Sequence, residues 1–172
     1  MTTPWPAAEP LRSARLDLEP LRTDHADETA AALDDAGLHT FTGGSPATAG
    51  ELRDRCARQV VGHSADGGEG WLNWVLRRRD DGALVGTAQA TVRRAADGAR
   101  EAELAWVVAT VHQGAGHARE AAAVVSHWLR AQGVHRLVAH VHPGHTASMG
   151  VARAIGLHPT STVVEGEVRW SS

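Results

Sequence analysis

Apolar and polar positions along this chain change their spacing from two-fold to roughly 3.6-fold and back. Ala14-Arg15-Leu16-Asp17-Leu18-Glu19 alternates and predicts a strand. Thr23 or Asp24 then caps an expected helix running to about Leu33. Phe41 to Gly50 is rich in Gly, Thr and Pro and reads as a loop. Leu52, Cys56 and Val60, four apart, mark a second helix over 51–61, closed by a glycine-rich turn before Gly70. Three strands are expected next: Trp71–Arg77, Leu84–Val92 and Glu103–Val108, with turns at Asp81-Gly82 and Ala96–Ala99. Ala118, Ala122, Val125 and Leu129 then share one face of a long helix that Gly133 terminates. Arg136–Val141 predicts a strand, Thr146–Ile155 a short helix ending at Gly156, and Val163–Trp170 one last strand.

The fold class that follows is α/β (α+β), with one mixed sheet. The three-strand meander is antiparallel, and the strand–long helix–strand unit calls for a parallel crossover. At 172 residues the chain fits a single domain, 1–172, with residues 1–10 a Pro-rich lead-in. No repeat or internal linker divides it.

Composition narrows the function. A net charge of −3 lacks the basic footprint of a nucleic-acid binder, so no nucleic-acid partner is expected. No apolar run approaches the roughly 20 residues that span a bilayer, so no membrane partner is expected either. MTTPWPAAEP has neither a basic start nor an apolar stretch and does not read as a secretory signal. With one cysteine, Cys56, no intrachain disulfide forms; the expected location is the cytoplasm.

The chemistry concentrates where a strand turns into the long helix, at Gln113-Gly114-Ala115-Gly116-His117-Ala118-Arg119. A helix start leaves backbone N–H groups unpaired and carries about half a positive charge. Small residues at 114, 115, 116 and 118 let an anion approach those groups. A tight turn that uses glycine only for its shape fits the same residues.

Gln113-x-x-Gly116-x-Ala118 resembles the Q/R-x-x-G-x-G/A signature of the GNAT N-acetyltransferases. Pro143-Gly144-His145-Thr146-Ala147-Ser148 with Ala154-Ile155-Gly156-Leu157 is similar to that family's P-x-N-x-A-S…G-F element. Ala14 to Arg22 resembles the first strand of its ribosomal-protein N-terminal acetyltransferase branch. The resemblance spans about 11–170. It implies acetyl-CoA, or another acyl-CoA, as co-substrate and no metal. It implies a sheet splayed between Glu103–Val108 and Arg136–Val141, with pantetheine along Trp106, Val107 and Val108. The pyrophosphate would lie on Gly114, Ala115, Gly116, His117, Ala118 and Arg119, next to Gln113. His145, in place of the family's Asn, and Ser148 would also meet the donor. A homodimer is one assembly left open.

Acyl transfer to an amine needs a base, a polarised carbonyl and a proton for the thiolate. The chain has no tyrosine to supply that proton, and the resemblance offers Ser148 instead. Glu103 is the first candidate base, acting through water; a cross-strand partner for an arginine is its structural alternative. His140 is the second. Trp71, Asn73, Trp74 and Gln89, on the meander, are expected to face the amine acceptor, although tryptophans also serve cores. Two rival functions remain at this level. One is an acyl-CoA-binding module without catalysis. The other is a metallohydrolase using His140-x-His142-x-x-His145, in which Gly144 stands where an aspartate is needed.

Overall fold

The computed structural model describes residues 4–172. One eight-stranded sheet has the order β1-β2-β3-β4-β5-β6-β8-β7. Its strands are β1 (Leu11–Arg12), β2 (Leu16–Pro20), β3 (Glu69–Arg78), β4 (Leu84–Arg94), β5 (Arg100–Val108), β6 (Arg136–Val141), β7 (His158–Val164) and β8 (Glu167–Ser171). Every neighbouring pair is antiparallel except β5 and β6. The parallel pair is joined by α3 (His117–Ala131), the crossover that the sequence calls for.

The two faces of the sheet are covered differently. Leu16, Leu18, Leu72, Trp74, Val92 and Leu104 point to one face and meet Val125 and Leu129 of α3 and Ala152 of α4 (Thr146–Ala154) in the main core. Each fully buried leucine in it contributes about 1.5–3 kcal/mol. The other face carries α1 (Ala26–Ala32) and α2 (Ala49–Gln59), which share a small cluster of Ala26, Leu52 and Cys56. Arg77 ties α1 to this face by bonding Glu19 of β2 and Glu28 of α1, each at 2.8 Å.

Several elements differ from the sequence reading. The first helix opens with a 3-10 turn, Thr23–His25, whose N-cap is Arg22 rather than Thr23 or Asp24. A second 3-10 turn, Ala36–His39, precedes the loop at Phe41. The expected last strand is a hairpin, because Glu165 and Gly166 both take positive φ, 49° and 82°, and turn the chain back. Positive φ at a glutamate is not signalled by its residue type. The lead-in is pinned rather than loose along its described part: Trp5 Nε1 donates to Gly67 O at 2.9 Å, and Trp74 Nε1 to Glu9 O at 2.8 Å. Residues 1–3 of that lead-in lie outside the described residues.

Candidate active site

The β5–β6 ladder is short. It pairs Glu101 with Arg136, Ala102 with Leu137 and Glu103 with Val138, and then stops, while β4 stays paired to β5 as far as Val108. The sheet therefore opens into a V along Leu104–Val108 on one side and Ala139–Val141 on the other. Gly86 shapes one arm: a Cβ there would sit 2.1 Å from Val107 O, so only glycine lets the end of β5 lie so close over β4. Gln113 Nε2 donates to Val108 O at 2.9 Å and fastens that end to the following turn.

The turn delivers an uncapped helix to the mouth of the V. Gly114 and Gly116 hold φ of 79° and 85°, which L side chains rarely adopt. Gly116 is the N-cap of α3, no side chain caps it, and the first helical bond runs from Glu120 N to Gly116 O at 3.0 Å. The N–H groups of His117, Ala118 and Arg119 thus have no partner among the described residues. His117, the first residue of the helix, is buried with Nδ1 unpartnered. Burial first, then the charges of Arg15 and Arg78, push its pKa below the ordinary value.

A cation missing from the sequence reading stands beside this turn. Arg15 Nη2 lies 3.3 Å from where a Gly116 Cβ would be. Glu120 holds it there, accepting from Arg15 N at 2.7 Å, Arg15 Nε at 2.8 Å and Ser13 Oγ at 2.6 Å. Arg15 is 105 positions from Glu120, and a strand pattern gives no hint of that contact.

At the apex of the V, the two candidate bases meet. His140 Nδ1 and Glu103 Oε1 are 2.8 Å apart, and Arg93 Nη1 reaches Glu103 Oε2 at 3.4 Å. Arg93 also bonds buried Glu101 at 3.1 Å, and Arg169 bonds Glu101 at 2.9 Å. Glu103 is thus both the arginine partner and the neighbour of His140.

Of the expected acceptor-facing residues, the register places Trp71 with Thr91 and Glu103, and Asn73 with Gln89 and Ala105, on the face that carries Glu103. Trp74 is a correction. It lies on the opposite face, fully buried, edge-on to Trp128 with ring centroids 5.7 Å apart. Its period-two position points it to the core, where a large aromatic buries most area.

Across the V, Trp106 Nε1 donates to Ser148 Oγ at 3.3 Å. His145 is the N-cap of α4: its Nδ1 accepts from Ser148 N at 3.1 Å, which leaves the proton of the neutral ring on Nε2, 3.4 Å from Ser148 Oγ. Phe41 covers this corner, its ring 4.4 Å from that of His145 and 5.2 Å from that of His142. His142 Nδ1 accepts from Gly144 N at 2.9 Å. The three imidazoles of the 140–145 stretch are therefore engaged separately, each with its own partner, which disfavours the metallohydrolase reading.

Residues 15–158 match the acetyltransferase (GNAT) domain family. An acetyltransferase of the GNAT family from Bacillus anthracis shares the fold, with a TM-score of 0.77 at 16% identity over 95% of this chain and 98% of that one. RimJ of Mycobacterium smegmatis, solved with CoA-disulfide, superposes at 0.74 with 22% identity over 95% of this chain and 85% of its own. RimL, a ribosomal-protein α-N-acetyltransferase solved with coenzyme A, superposes at 0.75 with 15% identity over 95% and 97%. No curated protein matches the chain.

Proposed function

From the chain's membership of the GNAT acetyltransferase family, which the match over residues 15–158 establishes, we propose that it moves an acetyl group from acetyl-CoA to a primary amine by direct attack in a ternary complex. The observation that carries this reading is the V between β5 and β6, with the uncapped start of α3 at its mouth and the Glu103–His140 pair at its apex. Acetyl-CoA, or another acyl-CoA, is the co-substrate. Its phosphates fit the turn from Gln113 through Gly114, Ala115, Gly116, His117 and Ala118 to Arg119. Its pantetheine fits the free edge of Trp106, Val107 and Val108. The cytoplasm is the compartment proposed.

The chemistry follows from the contacts. With Glu103 accepting from Nδ1–H, His140 Nε2 becomes the acceptor for the amine proton, directly or through one water. Glu103 fixes that tautomer and stabilises the imidazolium. The neutral amine attacks the thioester carbon, and backbone N–H groups at the free edge of β5 polarise the carbonyl oxygen. As the C–S bond breaks, the sulfur takes up the proton that the amine gave. Ser148 accepts from Trp106 and its hydroxyl donates a hydrogen bond to the departing sulfur, while the proton held on His140 reaches that sulfur through water, so Ser148 keeps its hydrogen at the end of the step. Trp71, Asn73 and Gln89 share the face of Glu103 and line the acceptor's approach.

The likeness to RimJ and RimL makes a peptide N-terminal amine the first acceptor to try, ahead of small-molecule amines. The test is a panel of peptides and small amines with acetyl-CoA, read as thiol release and as a 42-Da mass gain on the acceptor (about 42 Da is the mass an acetyl group adds on replacing hydrogen). Acetylated product at a rate above the uncatalysed one supports the reading. Tight CoA binding with no turnover on any amine replaces it with a non-catalytic acyl-CoA-binding module.

A further inference from the structure

We infer that Arg15 is a phosphate ligand of the acyl-CoA site, set in place by Glu120, and that the donor cradle is therefore built from two ends of the chain. The inference rests on the acyl-CoA reading above and deepens it. A guanidinium has two usable edges. Arg15 spends its Nε edge on Glu120, at 2.8 Å, and no protein acceptor among the described residues takes Nη1 or Nη2. Nη2 faces the turn, 3.3 Å from the vacant Cβ position of Gly116. The side chain is about half exposed, so its donors are open to a ligand from solvent. A guanidinium held by one edge and free at the other is pre-organised for a planar, bidentate contact with phosphate oxygens.

The anchor is more elaborate than a surface ion pair. Glu120 accepts three hydrogen bonds, from Ser13 Oγ, Arg15 N and Arg15 Nε, and only one of these uses the guanidinium. Burial opposes the charge on Glu120, yet these donors hold its pKa below the ordinary carboxylate value. The carboxylate thus fixes the backbone of the β1–β2 turn first and the cation second. Glu120 sits in the first turn of α3, so the arginine is registered to the same helix start whose N–H groups of 117–119 are unpaired. His117 adds a neutral imidazole beneath them, disfavoured as a cation partly because Arg15 already supplies charge there.

A purely structural arginine would serve to hold α3 against β2, and the two roles separate in experiment. Calorimetry measures affinity for CoA, 4′-phosphopantetheine and pantetheine in wild type, Arg15→Gln and Glu120→Gln. A charge-assisted contact of about 1.5–3 kcal/mol corresponds to roughly 10- to 150-fold. Arg15→Gln is expected to bind CoA that much more weakly and pantetheine within about two-fold of wild type by the same scale. Glu120→Gln keeps an amide oxygen for Ser13 and the Arg15 backbone but gives up the ionic hold on Nε, so it is expected to lose part of the CoA affinity, less than Arg15→Gln loses, with pantetheine affinity kept. CoA affinity of Arg15→Gln within two-fold of wild type (under about 0.4 kcal/mol) overturns the inference. So does a loss of pantetheine affinity in Arg15→Gln as large as its loss of CoA affinity, which marks a structural role. Should Arg15→Gln fail to fold, Arg15→Lys carries the test: one point charge in place of the fork loses part of the CoA affinity if Arg15 is a ligand and none if it is not. Wild type that binds no CoA at all defeats the acyl-CoA reading itself.

Discussion

His140 shows how one residue's neighbours decide its chemistry. An imidazole on a strand is as often a core or surface residue as a base. Here the parallel register of β5 and β6 sets it 2.8 Å from Glu103, and Arg93 occupies the other carboxylate oxygen at 3.4 Å. That distribution separates two catalytic assignments. If His140 is the base and Glu103 its orienting partner, His140→Gln lowers kcat by roughly 10²–10⁴-fold, the usual range for a lost general base. Glu103→Gln is then expected to cost less, since the ring remains, while CoA affinity holds in both variants. Steady-state kinetics at pH 7.5 decides it: near-normal turnover in His140→Gln returns the base role to Glu103 acting through water. His145 poses a separate residue-scale question, because its match to the family's Asn coincides with a cap. His145→Ala removes that cap and is expected to cost about 1 kcal/mol of stability, whereas His145→Asn keeps a good capping oxygen and costs little. Equal melting temperatures for the two variants would show that the cap contributes nothing.

At the scale of elements, the active site is an interruption in a sheet. β5 is long enough to pair with both neighbours throughout, yet it pairs with β6 only over Glu101–Glu103. Gly86 is part of the cause, since a side chain there meets Val107 O at 2.1 Å. Gly86→Ala must push the end of β5 away from β4 and into the V. Overpacking of this kind typically costs about 1–3 kcal/mol, and a donor that needs the open edge should bind at least several-fold more weakly. A folded Gly86→Ala protein with unchanged melting temperature and unchanged CoA affinity would show that the strand yields freely. Elements are also where the sequence was most readable. The meander, the α3 periodicity and the Gly116 helix start are encoded in neighbouring residues, so local pattern found them. The β7–β8 hairpin escaped because its turn uses Glu165 at positive φ. The 3-10 turn at Ala36–His39 escaped because it is one short turn inside a polar stretch. Trp74 is misplaced in the sequence reading because residue type groups it with Trp71 and Asn73, although the two-fold alternation of a strand sets position 74 on the opposite face. Arg15, Arg93 and Phe41 reach the site only through tertiary contacts with Glu120, Glu103 and His145, which no spacing along the chain encodes.

For the whole molecule, acidity is the variable that reaches the donor site and the global stability together. Two kinds of group have folded pKa values below their ordinary ones. The first is His117, with an ordinary value of 6.5, lowered by burial and then by Arg15 and Arg78. The second is a set of carboxylates in ion pairs and turns, including Glu120 against Ser13 and Arg15, Glu28 against Arg77 and Asp97 against Arg136. In both, the unfolded chain binds protons more readily, so stability rises with pH through the interval between folded and ordinary pKa. The intervals differ. The His117 contribution is complete above about pH 6.5 and is lost as pH falls through its folded value. The carboxylate contributions stay complete down to about pH 4.5 and are lost below it. Melting temperature should therefore fall in two stages on acidification, with a shallow stage below neutrality and a steeper one in acid. His117→Gln keeps a polar side chain without a titrating ring, so it should flatten the first stage and leave the second. The comparison is one of slopes, because the substitution shifts absolute stability as well. The other ten histidines are common to both proteins and cancel in the difference. Thermal melts of both at constant ionic strength between about pH 7.5 and 3.5 span both intervals. Parallel curves from pH 7.5 to 5 would mean that the buried ring of His117 accepts a proton without penalty, and that the start of α3 tolerates a second cation beside Arg15.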